Sequence, residues 1–223
     1  MGLSLVKNRR PRLGGKESRA MFITFEGIDG VGKSTQIDLV ERWLESRDLP
    51  FIRSFEPGGT ELGQEIRHLL LHRKGDVSAR SEALLYAADR AHHVETKIKP
   101  ALASGKVVLG DRYFDSSVAY QGAARELDLK EVREISLWAI DNLLPDLTVL
   151  LDLDAEQAIQ RRNLTGTGPD RLEKEKVDFF ERAREAYLLL AKNEPERFLV
   201  LDASETVEQI SEKLIAELEK RFR

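Results

Sequence analysis

The chain has 223 residues, 41% of them hydrophobic and 33% charged, which is enough apolar material for one substantial core and reads as a single domain over residues 21–223. With no cysteine and no apolar run of eighteen residues, it excludes disulfides, thiolate metal sites, cysteine nucleophiles and an α-helical membrane span, so a cytoplasmic protein without a membrane partner is expected. The net charge of −4 is unevenly spread: residues 1–20 carry six Lys or Arg against one Glu and no aromatic residue, and are expected to be a disordered basic leader or an expression remnant rather than a nucleic-acid-binding arm.

In chain order, "MFITFEG" from Met21 is the first of five short apolar runs; "FIRSF" at 51, "VVLGD" at 107, "LTVLLDL" at 147 and "RFLVLDA" at 197 follow. All but the second are nearly continuous Val, Leu, Ile and Phe, the pattern of strands covered on both faces. Between them, "STQIDLVERWLESR", "ELGQEIRHLLL", "SARSEALLYAADRAHHVETKIKPALASG" and "LKEVREISLWAIDNLL" repeat apolar residues at spacings of three and four, as helices do. Pro100 is expected to kink or restart the third of these and Gly105 to end it. The predicted fold class is therefore α/β: a five-stranded parallel sheet with helices on both faces. His92 and His93, adjacent on that third helix, diverge and read as solvated side chains rather than metal ligands.

Between the first strand and the first helix stands "GIDGVGKST": Gly27, Ile28, Asp29, Gly30, Val31, Gly32, Lys33, Ser34 and Thr35. It satisfies G-x-x-x-x-G-K-[ST] in the strand-then-helix context that the motif requires. Glycines let successive backbone N–H groups face one anion at the positive end of a helix, Lys33 reaches the β- and γ-phosphates of ATP, and Ser34 offers its hydroxyl to the Mg²⁺ that ATP brings. Asp111, closing the third strand, stands where a magnesium-shell carboxylate belongs, although a strand-end Asp also serves as a helix cap. Arg112 follows it. Arg161, Arg162 and Arg171 flank "NLTGTGPD", a loop suited to closing over a nucleotide as a lid of about residues 161–172. Taken singly, each arginine reads as an exposed charge; with the cradle they favour a kinase, because phosphoryl transfer needs positive charge at the moving group.

An ordered series of motifs, "FEGIDGVGKSTQ", "EPGGT" at 56–60, "YAADRA" at 86–91, "DRYFDSSVAYQG" at 111–122 and "DRLEKE" at 170–175, resembles bacterial thymidylate kinases over most of the chain from Met21. The resemblance implies a P-loop nucleoside monophosphate kinase fold with a mobile lid. It also implies transfer of the γ-phosphate of ATP to dTMP, giving dTDP and ADP for dTTP synthesis, with Mg²⁺, in a homodimer built through helices beside the sheet. It places Glu56 and Pro57 in the acceptor loop and makes Arg112 a clamp on the acceptor monophosphate. Asp29 would hold the deoxyribose 3′-hydroxyl or approach the metal shell. Tyr86 would stack on thymine while Arg90 meets its O4; read alone, Tyr86 fits core packing and Arg90 a surface ion pair. Tyr120 would crowd the 2′ position, and Ser117 and Gln121 would hold base edge and sugar. Gly30 stands where some members carry a P-loop arginine, which points to the type that uses lid arginines. Two departures stand out: Phe55 replaces an arginine common two residues before the proline of "EPGGT", leaving Arg53 or Arg112 to cover for it, and Tyr86 stands where Phe is common. The rival readings are another nucleoside monophosphate kinase and a non-enzymatic P-loop nucleotide switch. Tyr120 with the Tyr86–Arg90 pair opposes the first, and the lack of an N-K-x-D guanine motif opposes a GTPase form of the second.

Overall fold

The computed structural model describes residues 20–164 and 175–222. Five strands, β1 (Phe22–Glu26), β2 (Phe51–Phe55), β3 (Val107–Asp111), β4 (Leu147–Asp152) and β5 (Phe198–Asp202), pair in parallel in the order β2-β3-β1-β4-β5. The three central strands are buried almost throughout, which is why their sequences show no alternation. β5 departs from the expectation of two covered faces: it lies at the sheet edge and leaves Val200 44% exposed. Register sets Phe25 beside both Asp111 and Val149, so β1, β3 and β4 end at about one level and their carboxyl ends form a common ledge.

The first helix, α1 (Lys33–Glu45), and the last, α9 (Val207–Arg221), pack together, while the helices that lead from β2 onward cover the opposite face, as right-handed crossovers require. After β2 come α2 (Glu61–Leu71) and α3 (Ala79–His93), which pack against each other. After α3 the chain widens into a π-helical turn, Val94–Ile98, before α4 (Lys99–Ala103). The restart expected at Pro100 is therefore real: Lys99 N–H reaches back five residues to the Val94 carbonyl, and Pro100 sits in the first turn of α4, where its missing N–H leaves no gap. Gly105, at φ +81°, ends the helix, with Lys106 N–H bonding to the Ala101 carbonyl at 3.1 Å.

β3 leads into α5 (Phe114–Ser117), a second π-helical turn (Val118–Ala124) and α6 (Leu129–Ala139). The chain on either side of "NLTGTGPD" is helical, α7 (Ala155–Asn163) after β4 and α8 (Val177–Asn193) before β5, and beyond the expected helical stretches the structure adds α9. A buried ion pair ties this half together: Arg197 donates through Nη1 and Nη2 to the two carboxylate oxygens of Asp115 at 2.6 and 2.8 Å.

Candidate active site

Residues 27–32 turn from β1 into α1 with three glycines at positive φ: Gly27 at +131°, Gly30 at +92° and Gly32 at +94°. A Cβ at Gly27 would lie 2.5 Å from the Leu151 carbonyl oxygen, and one at Gly30 would overlap the Ala158 carbonyl oxygen, so both positions need glycine for space as well as conformation. Gly32 has open space around it and serves the left-handed turn that starts α1. No side chain caps α1, so its first N–H groups are left to face the cleft. Lys33 folds over the loop, Nζ donating to the carbonyls of Gly27 and Ile28 at 3.1 Å each. Burial and the neighbouring Arg112 lower its pKa.

Arg112 stands at the hub. Its own backbone is left-handed, φ +70°, a conformation that costs a non-glycine residue roughly 1–2 kcal/mol. Nη2 donates to Asp29 Oδ1 at 2.6 Å and lies 3.4 Å from the Tyr120 hydroxyl. Nη1 donates to the hydroxyl oxygens of Ser116 and Tyr187 at 3.2 and 3.3 Å. Asp29 also accepts from the Tyr120 hydroxyl at 3.2 Å. Burial pushes the Asp29 pKa up, but Arg112 and Lys33 together outweigh it and hold the carboxyl well below the usual range.

Two clefts open on this hub. One, about 1010 Å³ including its mouth, is lined by the P-loop, Asp111 and Arg161. The other, about 570 Å³, runs between α2, α3 and the second π-helical turn, past Pro57, Tyr86, Arg90 and Gln121. They share a wall made of Asp29, Glu56, Arg67 and Arg112. In the second cleft Glu56 is buried and accepts from Arg90 Nε at 2.7 Å and from His93 Nδ1 at 2.9 Å. Burial alone would lower the Arg90 pKa; Glu56 reverses this and keeps the guanidinium charged. Arg90 Nη2 donates to Ser117 Oγ at 3.0 Å, whereas Nη1 is buried without a hydrogen-bond partner among the described residues. A buried donor of that kind is available to an acceptor that enters the cleft.

A family model for thymidylate kinase matches residues 25–214. The chain belongs to the thymidylate kinase family. A thymidylate kinase of Leifsonia xyli subsp. xyli is 60% identical over 201 residues, covering 90% of this chain and 95% of its own. One from Halothermothrix orenii is 50% identical over 200 residues, covering 88% and 95%. Among solved structures, the thymidylate kinase from Ehrlichia chaffeensis matches with a TM-score of 0.72 at 31% identity, covering 89% of this chain and 98% of that one. This chain is accordingly a P-loop kinase fold in an enzyme family, as the parallel sheet and cradle suggested.

The expected site residues assemble unevenly. Tyr86, Arg90 and Gln121 line one cleft with Glu56 and Pro57, and Gly30, Gly32, Lys33, Ser34, Thr35, Asp111 and Arg161 line the other. Ser117 lies behind Arg90 with its hydroxyl accepting from that guanidinium. Ile28 and Val31 pack into the core beneath the loop. Arg161 donates to the Ala203 carbonyl at 2.7 Å, and the Arg162 guanidinium carbon lies 5.4 Å from the Phe180 ring centre. Arg171 and most of the expected lid lie outside the described residues, as do residues 1–19 of the expected leader.

Three single-residue readings are corrected. Arg90 is no surface ion pair: it is 1% exposed and its carboxylate partner is buried with it. His93 is not solvated; it is held between Glu56 and Ser54, whose Oγ lies 2.6 Å from Nε2. Arg53 does not cover for Phe55, since it pairs with Asp38 at 2.6 Å and with Glu41, and lines neither cleft. The guanidinium beside Phe55 that lines both clefts is Arg67 of α2, which no sequence motif marks: it donates to the Pro57 carbonyl at 2.8 Å and lies over the Phe55 ring. Its position seven residues after "GGT" on an amphipathic helix was the only available signal.

Proposed function

We propose that this chain transfers the γ-phosphate of ATP to dTMP, giving dTDP and ADP. The observation that carries the reading is the shared wall: a phosphate-cradle cleft and a base-sized cleft meet at Arg112 and Arg67, so two anions bound from opposite sides would face each other there. ATP would lie along the P-loop, its phosphates on the N–H groups of the loop and of α1, with Lys33 turning from the loop carbonyls to the β- and γ-phosphates. The acceptor phosphate would meet Arg112. Its oxygen is already anionic, so no strong general base is needed; catalysis consists of alignment and neutralisation of charge.

In the acceptor cleft Tyr86 would stack on the thymine ring while Arg90 Nη1, the unpartnered donor, meets its O4. Tyr120, held by Asp29 and lining the same cleft, would crowd a 2′-hydroxyl, and Gln121 would take the base edge. Asp29 would approach the sugar 3′-hydroxyl or the metal shell.

Ser34 and Asp111 give the donor cleft the hard oxygen donors that suit Mg²⁺. No cluster of three or more His, Cys, Asp or Glu side chains forms a metal cage among the described residues, so phosphate oxygens and water would complete the shell. When bound, the ion supplies further positive charge at the transferring group. Lid arginines drawn from Arg161, Arg162 and Arg171 would add the charge that Gly30 does not provide.

We further take the enzyme to be a homodimer, through the helices beside the sheet, and to work in the cytoplasm; no helix among the described residues is long and apolar enough to cross a membrane. A coupled ADP-release assay over a panel of nucleoside monophosphates tests the reading. Turnover selective for dTMP is expected; selectivity for a ribonucleotide would establish a different monophosphate kinase, and no acceptor-dependent turnover would leave a nucleotide switch.

A further inference from the structure

Glu26, the last residue of β1, is 0% exposed and lines neither cleft. Its carboxyl nevertheless collects three donors: the Tyr113 N–H at 2.8 Å on Oε1, and the hydroxyls of Ser116 and Tyr187 at 2.6 and 2.8 Å on Oε2. Those same two hydroxyl oxygens accept from Arg112 Nη1. A guanidinium can only donate, and each hydroxyl has a single proton. An oxygen that accepts from Arg112 must therefore aim its proton elsewhere, and Glu26 Oε2 takes both. The two hydroxyl oxygens are 2.8 Å apart, close enough for either to donate to the other if the carboxylate did not draw both protons its own way.

We propose that Glu26 is a positioning residue for the acceptor phosphate: through Ser116 and Tyr187 it fixes the plane of the Arg112 guanidinium. The inference rests on the reading of Arg112 as the acceptor clamp given above. With Nη1 pinned from behind by two hydroxyls and Nη2 by Asp29, the guanidinium keeps one orientation, so an arriving phosphate does not have to order it. Burial and the nearby Asp115 drive the Glu26 pKa up to about 7, so a carboxylate here carries a desolvation cost that a residue serving packing alone would avoid.

Glu26→Gln is the informative substitution because it keeps the shape. Its oxygen must stay on the Tyr113 N–H side, since two donors cannot face each other. The amide nitrogen then meets Ser116 and Tyr187 and turns their protons toward Arg112 or toward each other. Steady-state kinetics of the full chain should show the KM for dTMP rising about tenfold, the size of one lost charge-linked hydrogen-bond arrangement, with the KM for ATP within about twofold. In an Arg112→Lys background the same change should add almost nothing, because both act through one group. A dTMP KM unchanged in Glu26→Gln, an equal rise for both substrates, or full additivity with Arg112→Lys would overturn the proposal. Should Glu26→Gln fail to fold, Ser116→Ala and Tyr187→Phe each remove one acceptor from Nη1; both are expected to raise the dTMP KM selectively, and unchanged values in both would overturn it. If the unsubstituted chain shows no dTMP-dependent turnover, the functional reading fails instead of this inference.

Discussion

The Phe55 ring is used as a platform: the Arg67 guanidinium carbon lies 5.8 Å from the ring centre, on the wall that both clefts share. Arg67→Ala should therefore raise the dTMP KM about tenfold or more, by loss of a charge-assisted contact, while Arg53→Ala leaves it within about twofold. Initial-rate measurements on the two variants distinguish the arginines. Glu26 adds a pH signature. Its pKa is about 7 in the folded chain against 4.5 for an ordinary glutamate, so the folded state binds the proton more tightly. The stability this contributes is present below pH 4.5 and is lost as pH rises through 7, by at most about 3 kcal/mol. Urea midpoints measured across that window should fall less steeply in Glu26→Gln than in the parent. At this scale the P-loop was legible because its chemistry is local, nine consecutive residues with glycines at the three positive-φ positions. Glu26 was not, because its meaning depends on Tyr187, 161 positions away.

Among the elements, the sheet could be read from uninterrupted apolar runs, yet neither the order β2-β3-β1-β4-β5 nor the edge position of β5 follows from them, since pairing is decided by crossovers. The second π-helical turn, Val118–Ala124, was equally hidden: its one glycine, Gly122, gives no sign of a widened turn, and it carries Tyr120 and Gln121 into the cleft lined by Tyr86 and Arg90. The last turn of α7, which carries Arg161 and Arg162, overlaps the start of the expected lid. Of the alanine variants at Arg161, Arg162 and Arg171, at least one should lower turnover by about 10³, in line with other arginines that stabilise a transferring phosphoryl group. Rapid-quench single-turnover rates would separate that loss from slower product release, and near-normal rates in all three would remove the lid assignment.

Over the whole molecule, α3 packs between α2 and α6, and this side of the chain leaves unusual apolar surface: Trp138 is 80% exposed, Leu84 54%, and Leu62 and Leu69 44% each. Large apolar side chains gathered on neighbouring helices are a common sign of an interface. If the proposed homodimer forms through this side, replacing Trp138 and Leu84 together by Glu should shift it to monomer in sedimentation velocity runs, and a dimer that persists in the variant would place the contact elsewhere. The wall of Asp29, Glu56, Arg67 and Arg112 has a different consequence for the molecule as a whole. Its residues face both clefts at once, so they are committed to the meeting of the two bound molecules whatever lies at the far end of either cleft. Tyr86 and Gln121, in contrast, belong to the acceptor's chamber alone. Preference for one base over another can thus drift at the far end of that chamber while the machinery of transfer stays fixed.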